Sequence, residues 1–442
     1  MDKIVIIGNG IAGVTAARHI RKNSDDEILI ISSETEHFFS RTALMYIYMG
    51  HMKFEHTKPY EDFFWKKNRI DLLHDYVTDI TDTHKTLQTR KSGTISYDKL
   101  ILAVGSKPNK FGWPGQELQG VQGLYSLQDL ESMEALSEST QHAVVVGGGL
   151  IGIEMGEMFH SRNIEVTFLV RESSFWNNVL PPEESEMINR HIRSRGFNLI
   201  LEGELDKIND DGNGSVKSIT TKAGESINCN FVGLTVGVSP NIDFLQNTAI
   251  DLGRGIKVNE FFETNISDIY AIGDCAEFHA SPGIGRKNIE QVWYTGRMHG
   301  ETLARTITGK KTAYKPGIWF NSAKFLDIEY QVYGQVGSSK QANEEHLYWE
   351  DDKGEKSIRV IIHSSTKTLK GINLMGVRYR HEVVEKMIRD EWPIRKVLKN
   401  LPEANFDPEF FKTNENELIK IYNKKYPDDL ISEQRKKVLG LF

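Results

Sequence analysis

The stretch Lys3-Ile-Val-Ile-Ile-Gly-Asn-Gly-Ile-Ala-Gly13 decides the reading of this chain, together with Glu34 downstream. Ile4 to Ile7 is a short aliphatic run of the kind buried on both faces of a parallel sheet. Gly8, Gly10 and Gly13 follow at G-x-G-x-x-G spacing, with Ile11 and Ala12 between them, and Val14 to Ile20 continues at helical spacing. Each glycine has a job: Gly8 permits the tight turn, Gly10 lets a pyrophosphate approach the backbone, and Gly13 lets helix and strand pack closely. The helix that follows offers free N–H groups and the positive end of its dipole to phosphates. A second aliphatic run, Ile28 to Ile31, leads to Ser32, Ser33 and Glu34, 26 residues after Gly8. A carboxylate there meets the hydroxyls of an adenosine ribose. The competing reading is a glycine-rich turn with no ligand, and the strand, helix and acid around it favour a dinucleotide site.

Composition bounds the rest. A chain of 442 residues has room for two to four domains. With 39% hydrophobic and 26% charged residues it has the balance of an ordinary globular protein. The formal charge of −7 argues against a general nucleic-acid binder. No apolar run approaches the ~20 residues needed to span a bilayer, and the first strand begins too early to leave space for a signal peptide, so the expected location is cytoplasmic. Cys229 and Cys275 are the two cysteines. That number excludes a disulfide framework, a Cys-x-x-Cys motif and a multi-cysteine zinc or iron–sulfur site, and no metal site is expected.

Along the chain, Arg41 stands among aromatic residues in the segment 37–50, where a cation serves a pyrophosphate or flanks a flavin ring, or is a surface charge on an aromatic-rich helix. Residues 51–98 read as polar and strand-poor. Tyr97 to Val104 reads as a buried strand that ends in a Gly105-Ser106-Lys107-Pro108 turn. The pattern then repeats 139 residues after the first: a strand Ala143–Val146, the run Gly147-Gly148-Gly149-Leu150-Ile151-Gly152, a helical segment and a strand Glu165–Val170. Two such units imply two dinucleotides on one chain, which suits hydride transfer between them. Arg171 ends the second strand of the second unit, where an acid is expected for NADH. Its guanidinium suits a 2′-phosphate and points to NADPH, with Glu172 alongside pulling towards NADH or dual use.

Farther on, Phe231–Val236 leads into Gly237, and Ile269–Ile272 into Gly273 and Asp274. Asp274 is read as starting a helix, either as a simple N-cap or as a carboxylate binding a polyol chain. Glu382 to Leu401 reads as one amphipathic packing helix, and the stretch Ala404–Phe411 has no assigned role.

Taken together, these motifs resemble the FAD-dependent pyridine nucleotide–disulfide oxidoreductase superfamily over about residues 1–310. Within it they look most like single-component ferredoxin, rubredoxin and putidaredoxin reductases, apoptosis-inducing-factor-like proteins and nitrite-reductase flavoprotein modules. The matching elements, in the family's order, are Gly8–Gly13 with Glu34, Arg41 after an aromatic pair, Ala103-Val104-Gly105-Ser106-Lys107-Pro108, Gly147–Glu154, and Tyr270–Ala276. Trp293 and Gly300 keep the spacing of the ferredoxin-reductase branch. The resemblance implies an α/β protein with two Rossmann-like domains, the second inserted in the first, and a C-terminal α+β interface domain. Residues 1–112 and 243–312 form the FAD domain, 113–242 the NAD(P) domain and 313–442 the interface domain. It assigns Gly8, Gly10, Ile11, Ala12, Gly13, Glu34, Arg41, Ala103, Gly105, Gly273, Asp274 and Trp293 to FAD. Gly147, Gly149, Leu150, Ile151, Gly152, Arg171 and Gly237 are assigned to NAD(P), and Glu154 to the neighbourhood of the flavin N5.

The departures bear on chemistry. Ser40 is followed by Arg41 where thiol-dependent relatives carry a cysteine, no Cys-x4-Cys pair follows the second strand, Val104 replaces a threonine, and Tyr46 replaces a lysine that pairs with the glutamate at position 154. The expectation is an FAD-dependent NAD(P)H oxidoreductase that passes electrons from the flavin to an iron–sulfur protein, rubredoxin, a quinone or oxygen, without a redox disulfide. The alternative is a flavoprotein that responds to nucleotide by binding or signalling. A ferredoxin- or rubredoxin-like protein is the expected partner, nucleic acid is not, and a homodimer is one option for assembly.

Overall fold

A computed structural model describes residues 1–406 and 413–433. The chain forms two compact units. The first comprises Met1–Gly147, Met155–Val166 and Leu205–Gly317; the second comprises Gly148–Glu154, Thr167–Glu204 and Ile318–Phe442.

The first unit is built on the opening motif. Strand β1 (Lys3–Ile7) pairs in parallel with β2 (Glu27–Ser32) on one side and with Lys99–Leu102 on the other. The strand β3 (Ile70–His74) extends the sheet beyond β2, and Ile269–Ala271 closes the opposite edge. The sheet is parallel throughout, and Ile4, Val5 and Ile6 in its centre are fully buried, as a strand covered on both faces requires. Helix α1 (Ile11–Asn23) covers one face through Val14, Ala16, Ala17 and Ile20. The chain ends of β1 and β2 open at the same edge, so Gly8 to Gly13 and Glu34 lie beside one another at the carboxyl side of the sheet.

Between β3 and the Lys99–Leu102 strand the expectation of a strand-poor segment is overturned. Residues 77–96 form a three-stranded antiparallel ribbon, Val77–Thr81, Thr86–Thr89 and Gly93–Ser96. Its core contribution is carried by only a few residues, including Val77, Ile80 and Leu87, which is why the apolar signal is weak in the sequence. Asp75 pins the ribbon's turn by accepting hydrogen bonds from the N–H groups of Lys91 and Ser92, and these hold its carboxyl well below the usual range against the opposing effect of desolvation.

The segment after Asp274 needs a second correction. Gly273–Cys275 is one turn of 3-10 helix that runs directly into a short strand, Ala276–Phe278, paired in parallel with Ile256–Val258. No helix starts at Asp274, because the chain is drawn into this non-local pairing. The helix expected there begins at Trp293 and runs to Ile307.

In the second unit, Phe320–Phe325, Ile328–Gly334, Leu369–Met375, Ser357–His363 and Glu344–Glu350 form an antiparallel sheet in that spatial order. Three helices pack with its core. The single amphipathic helix expected over 382–401 is two, His381–Arg389 and Ile394–Asn400, interrupted at Trp392-Pro393, where proline disfavours helical backbone in the residue before it. The third helix is Glu415–Lys425. Residues 407–411 of the unassigned Ala404–Phe411 stretch lie outside the described residues. The helix Pro182–Ser194 also belongs to this unit and is tied to the sheet by a buried ion pair. Arg359 donates to both oxygens of Glu184 at 2.8 Å and to Glu183 at 2.6 Å, while Asn373 donates to Glu184 at 3.1 Å.

Candidate dinucleotide site

The turn after β1 owes its shape to contacts that exclude a side chain. A Cβ on Gly8, which has φ of +110°, would lie 2.1 Å from the carbonyl oxygen of Ala103. One on Gly13 would lie 2.1 Å from the carbonyl oxygen of Gly8. At Gly10, by contrast, an added Cβ meets nothing within 4 Å, so the backbone there faces open space. Gly10 caps α1 without any side-chain hydrogen bond, and no acidic residue sits in the first turn. Ile11 and Ala12 occupy that turn. The helix end therefore presents unpaired-by-side-chain N–H groups and no competing negative charge, which is what a phosphate requires.

Around this turn the first unit brings expected residues together with three that sequence reasoning missed. Glu34 is gripped by Arg41, with Nη1 to Oε1 at 2.8 Å and Nη2 to Oε2 at 2.5 Å. Its Oε1 also accepts the backbone N–H of Leu127 at 2.9 Å, at the start of the helix Leu127–Ser137. Arg41 donates further to the Tyr125 carbonyl oxygen and lies over the Tyr125 ring, 4.4 Å from its centroid. Desolvation pulls the guanidinium down and the hydrogen bonds and charge of Glu34 outweigh it, so Arg41 titrates above its ordinary range. The Tyr125 hydroxyl accepts the N–H of Ser106 at 2.9 Å, next to Gly105, and desolvation pushes this phenol up to about 12.

Ser106 continues the chain of contacts. Its hydroxyl donates to Asp274 Oδ2 at 3.2 Å and accepts from Gln291 Nε2 at 2.8 Å. Desolvation raises the Asp274 carboxyl to about 6, while the Ser106 hydrogen bond and the Arg41 charge act in the opposite direction. Gly273 precedes it in the turn, and Trp293 opens the following helix with 42% of its surface exposed. Tyr125, Leu127 and Gln291 carry no motif of their own. A signal for the first two was present in Ser126-Leu-Gln-Asp129, a capping box whose Ser126 and Asp129 side chains bond each other's backbone.

The residues of the second motif are distributed over the two units. In the first, Gly147 has φ of +117° and a Cβ there would lie 2.6 Å from the Thr235 carbonyl oxygen, while Gly237 sits in a turn beside Asn109. In the second, Gly149, Leu150, Ile151 and Gly152 lead the helix Leu150–Ser161, and Glu154 is partly buried on it. Arg171 is exposed and donates to Glu172 Oε1 at 2.9 Å. Both cysteines are free and buried, and desolvation raises each thiol to about 12.

Comparison with known proteins places this architecture. Residues 2–300 match the model of the pyridine nucleotide-disulphide oxidoreductase family. The chain belongs to that family, a class of FAD-dependent oxidoreductases that use NAD(P)H. It is 27% identical over 354 residues to nitrite reductase [NAD(P)H] of Bacillus subtilis, covering 79% of this chain and 43% of that one. It is 27% identical over 391 residues to rubredoxin-NAD(+) reductase of Acinetobacter baylyi, covering 85% of this chain and 94% of the relative. The fold is that of an NAD-dependent persulfide reductase from A. fulgidus, with a TM-score of 0.84 at 23% identity over 96% of this chain and 83% of that one. The chain thus spans less than half the length of the nitrite reductase it matches. Among the described residues, no helix is long and apolar enough to cross a membrane.

The residues fit the family's flavin dinucleotide. An open backbone at Gly10, an α1 terminus free of acidic side chains, and a hydroxyl–carboxylate pair at Ser106 and Asp274 offer the donors and acceptors that a diphosphate and a polyol need.

Proposed function

We propose that this chain is an FAD-dependent NAD(P)H oxidoreductase whose electrons leave from the flavin to an external acceptor without passing through a thiol. FAD, when bound, supplies hydride acceptance and onward electron release. The protein's part is to bind and orient: the α1 terminus holds the diphosphate, Asp274 with Ser106 holds the polyol, and Glu34, positioned by Arg41 and Leu127, faces the adenosine ribose. The single observation that carries the thiol-free reading is the state of the two cysteines. Both are free and buried, and burial pushes each thiol up, away from the thiolate that is the reactive form. Cys275 is further engaged with the carbonyl oxygens of Leu102 and Ile272. The relatives named for rubredoxin and nitrite support a small redox protein or inorganic acceptor, and a rubredoxin- or ferredoxin-like protein is our first choice. We assign residues 1–112 and 243–312 to FAD, 113–242 to the nicotinamide nucleotide and 313–442 to a C-terminal interface domain.

The test is stopped-flow reduction of the bound flavin by NADPH and NADH, followed by reoxidation with rubredoxin, ferredoxin, a quinone and oxygen. Replacing Cys229 and Cys275 by serine is expected to leave electron transfer within a few-fold of wild type. A loss of several orders of magnitude with FAD still bound overturns the reading. For the nucleotide, Arg171 favours NADPH at the low end of the ~10- to 150-fold range that charge-assisted hydrogen bonds provide, because Glu172 already engages it. An unchanged kcat/KM ratio in Arg171→Ala would reduce Arg171 to a solvated charge.

A further inference from the structure

Behind the Gly273–Asp274 turn lies a buried polar cluster that no dinucleotide motif accounts for. His299, on the Trp293–Ile307 helix, is completely buried, and its Nδ1 accepts the backbone N–H of Gly273 at 3.1 Å. A ring nitrogen that accepts carries no proton, so in the neutral ring the proton sits on Nε2. That nitrogen faces Glu290 Oε2 across 3.7 Å and has no hydrogen-bond partner among the described residues. Glu290, 3% exposed, accepts from the Tyr314 hydroxyl at 2.9 Å and lies 3.2 Å from Arg286 Nε. Arg286, itself buried, donates to the Pro316 carbonyl oxygen at 3.0 Å and to the Tyr294 hydroxyl at 3.3 Å. Phe262, Phe278 and Tyr314 enclose the imidazole, with ring centroids 4.8, 5.6 and 4.6 Å away.

The arrangement has one consistent protonation pattern. Glu290 as a carboxylate, balanced by Arg286, attracts the Nε2 proton, which leaves Nδ1 as the acceptor. An imidazolium would turn Nδ1–H against the Gly273 N–H, donor against donor. Burial in the aromatic box and the Arg286 charge oppose that cation, and Glu290 favours it. We propose that His299 is a positioning residue for the FAD site: as the Nε2–H tautomer, with Nε2 facing Glu290, it accepts the Gly273 N–H and so fixes the placement of Asp274 against the cofactor. This rests on the reading that Asp274 meets FAD.

The experiment uses the FAD-loaded protein with 15N-labelled histidine. Long-range 1H–15N spectra distinguish the two neutral tautomers and the imidazolium, and His299→Asn identifies the His299 signals by their loss. His299 is expected to keep the neutral Nε2–H pattern between pH 6 and 8; an Nδ1–H pattern or an imidazolium at pH 7 overturns the proposal. FAD affinity is then measured for two variants. His299→Asn keeps an acceptor near the Nδ1 position and is expected to bind FAD within about 3-fold of wild type, whereas His299→Leu loses about 5- to 10-fold, the equivalent of one hydrogen bond. Equal affinity in the two variants overturns the proposal while leaving the site reading intact. Wild-type protein that binds no FAD removes both. Should the leucine variant fail to fold, the tautomer measurement on wild type decides alone.

Discussion

At the scale of single residues, Asp274 ties the site to pH. Its carboxyl is raised to about 6 from an ordinary 3.8, so the folded state holds this proton more firmly than the unfolded chain. The contribution to stability is therefore full below about pH 3.8 and is lost as pH rises through about 6. In FAD-free protein, the stability difference between wild type and Asp274→Asn is expected to change across that window and to be flat above pH 7. Urea midpoints at a series of pH values measure it, and a constant difference from pH 4 to 7 refutes the prediction. With FAD present, Asp274→Ala should weaken binding by about 1–3 kcal/mol through loss of a polyol hydrogen bond, read as the dissociation constant from flavin fluorescence. The acid itself was legible in the sequence, because Gly273 and Asp274 follow a buried aliphatic strand. Its partners were not. Ser106 lies 168 positions away and Arg41 meets Glu34 through a turn seven residues long, and neither pairing leaves a periodic trace.

At the scale of elements, the informative contact is between α1 and the Trp293–Ile307 helix, which cross at Gly300. A Cβ there would lie 2.5 Å from the Ala12 carbonyl oxygen, 2.8 Å from Ala16 N and 2.9 Å from Thr15 Cβ. Glycine to alanine in an exposed helix interior gains about 1 kcal/mol. Here the helices must separate instead, and overpacking of this kind costs about 1–3 kcal/mol. Gly300→Ala should therefore lower the melting temperature. Gly296→Ala, whose nearest neighbour would be the Ile11 side chain at 3.2 Å, should be milder. Equal melting temperatures for Gly300→Ala and wild type would show that the crossing is loose. The same contrast explains which elements could be read in advance. Strands β1 and Ala143–Val146 declare themselves through continuous aliphatic runs next to glycine, β2 through its own aliphatic run, and α1 through helical spacing after the glycine turn. The 77–96 ribbon pairs within itself but offers few apolar residues, the Ala276–Phe278 strand takes its structure from the distant Ile256–Val258, and the sequence reading missed both.

At the scale of the whole molecule, the second unit joins pieces that are far apart in sequence. Trp176 lies against Phe325 and Tyr330, with centroids 5.3 and 5.5 Å away, and Glu184, fully buried, depends on Arg359 for its counter-charge. Arg359→Leu leaves that carboxylate buried without its cation and should cost about 3–5 kcal/mol, whereas adding Glu184→Leu should recover much of the loss. Chemical denaturation of the single and double variants measures this; an additive pair would show that the ion pair carries no coupling. The repeat of the glycine motif was plain in the sequence, but the attachment of residues 167–204 to the C-terminal sheet was not, since it runs through Trp176 and scattered polar contacts: Arg359 with Glu183 and Glu184, Arg190 with Glu350, and His191 and Arg195 with Asp327. That attachment also sets a timetable. A ribosome that has just made Glu204 must still add the 113 residues from Leu205 to Gly317 before the partner segment begins to emerge. At ~5–20 residues per second this is a wait of roughly 6–23 s, during which Trp176 and Glu184 have neither their aromatic slot nor their arginine. Chaperone capture during synthesis should therefore concentrate on nascent chains between these two lengths.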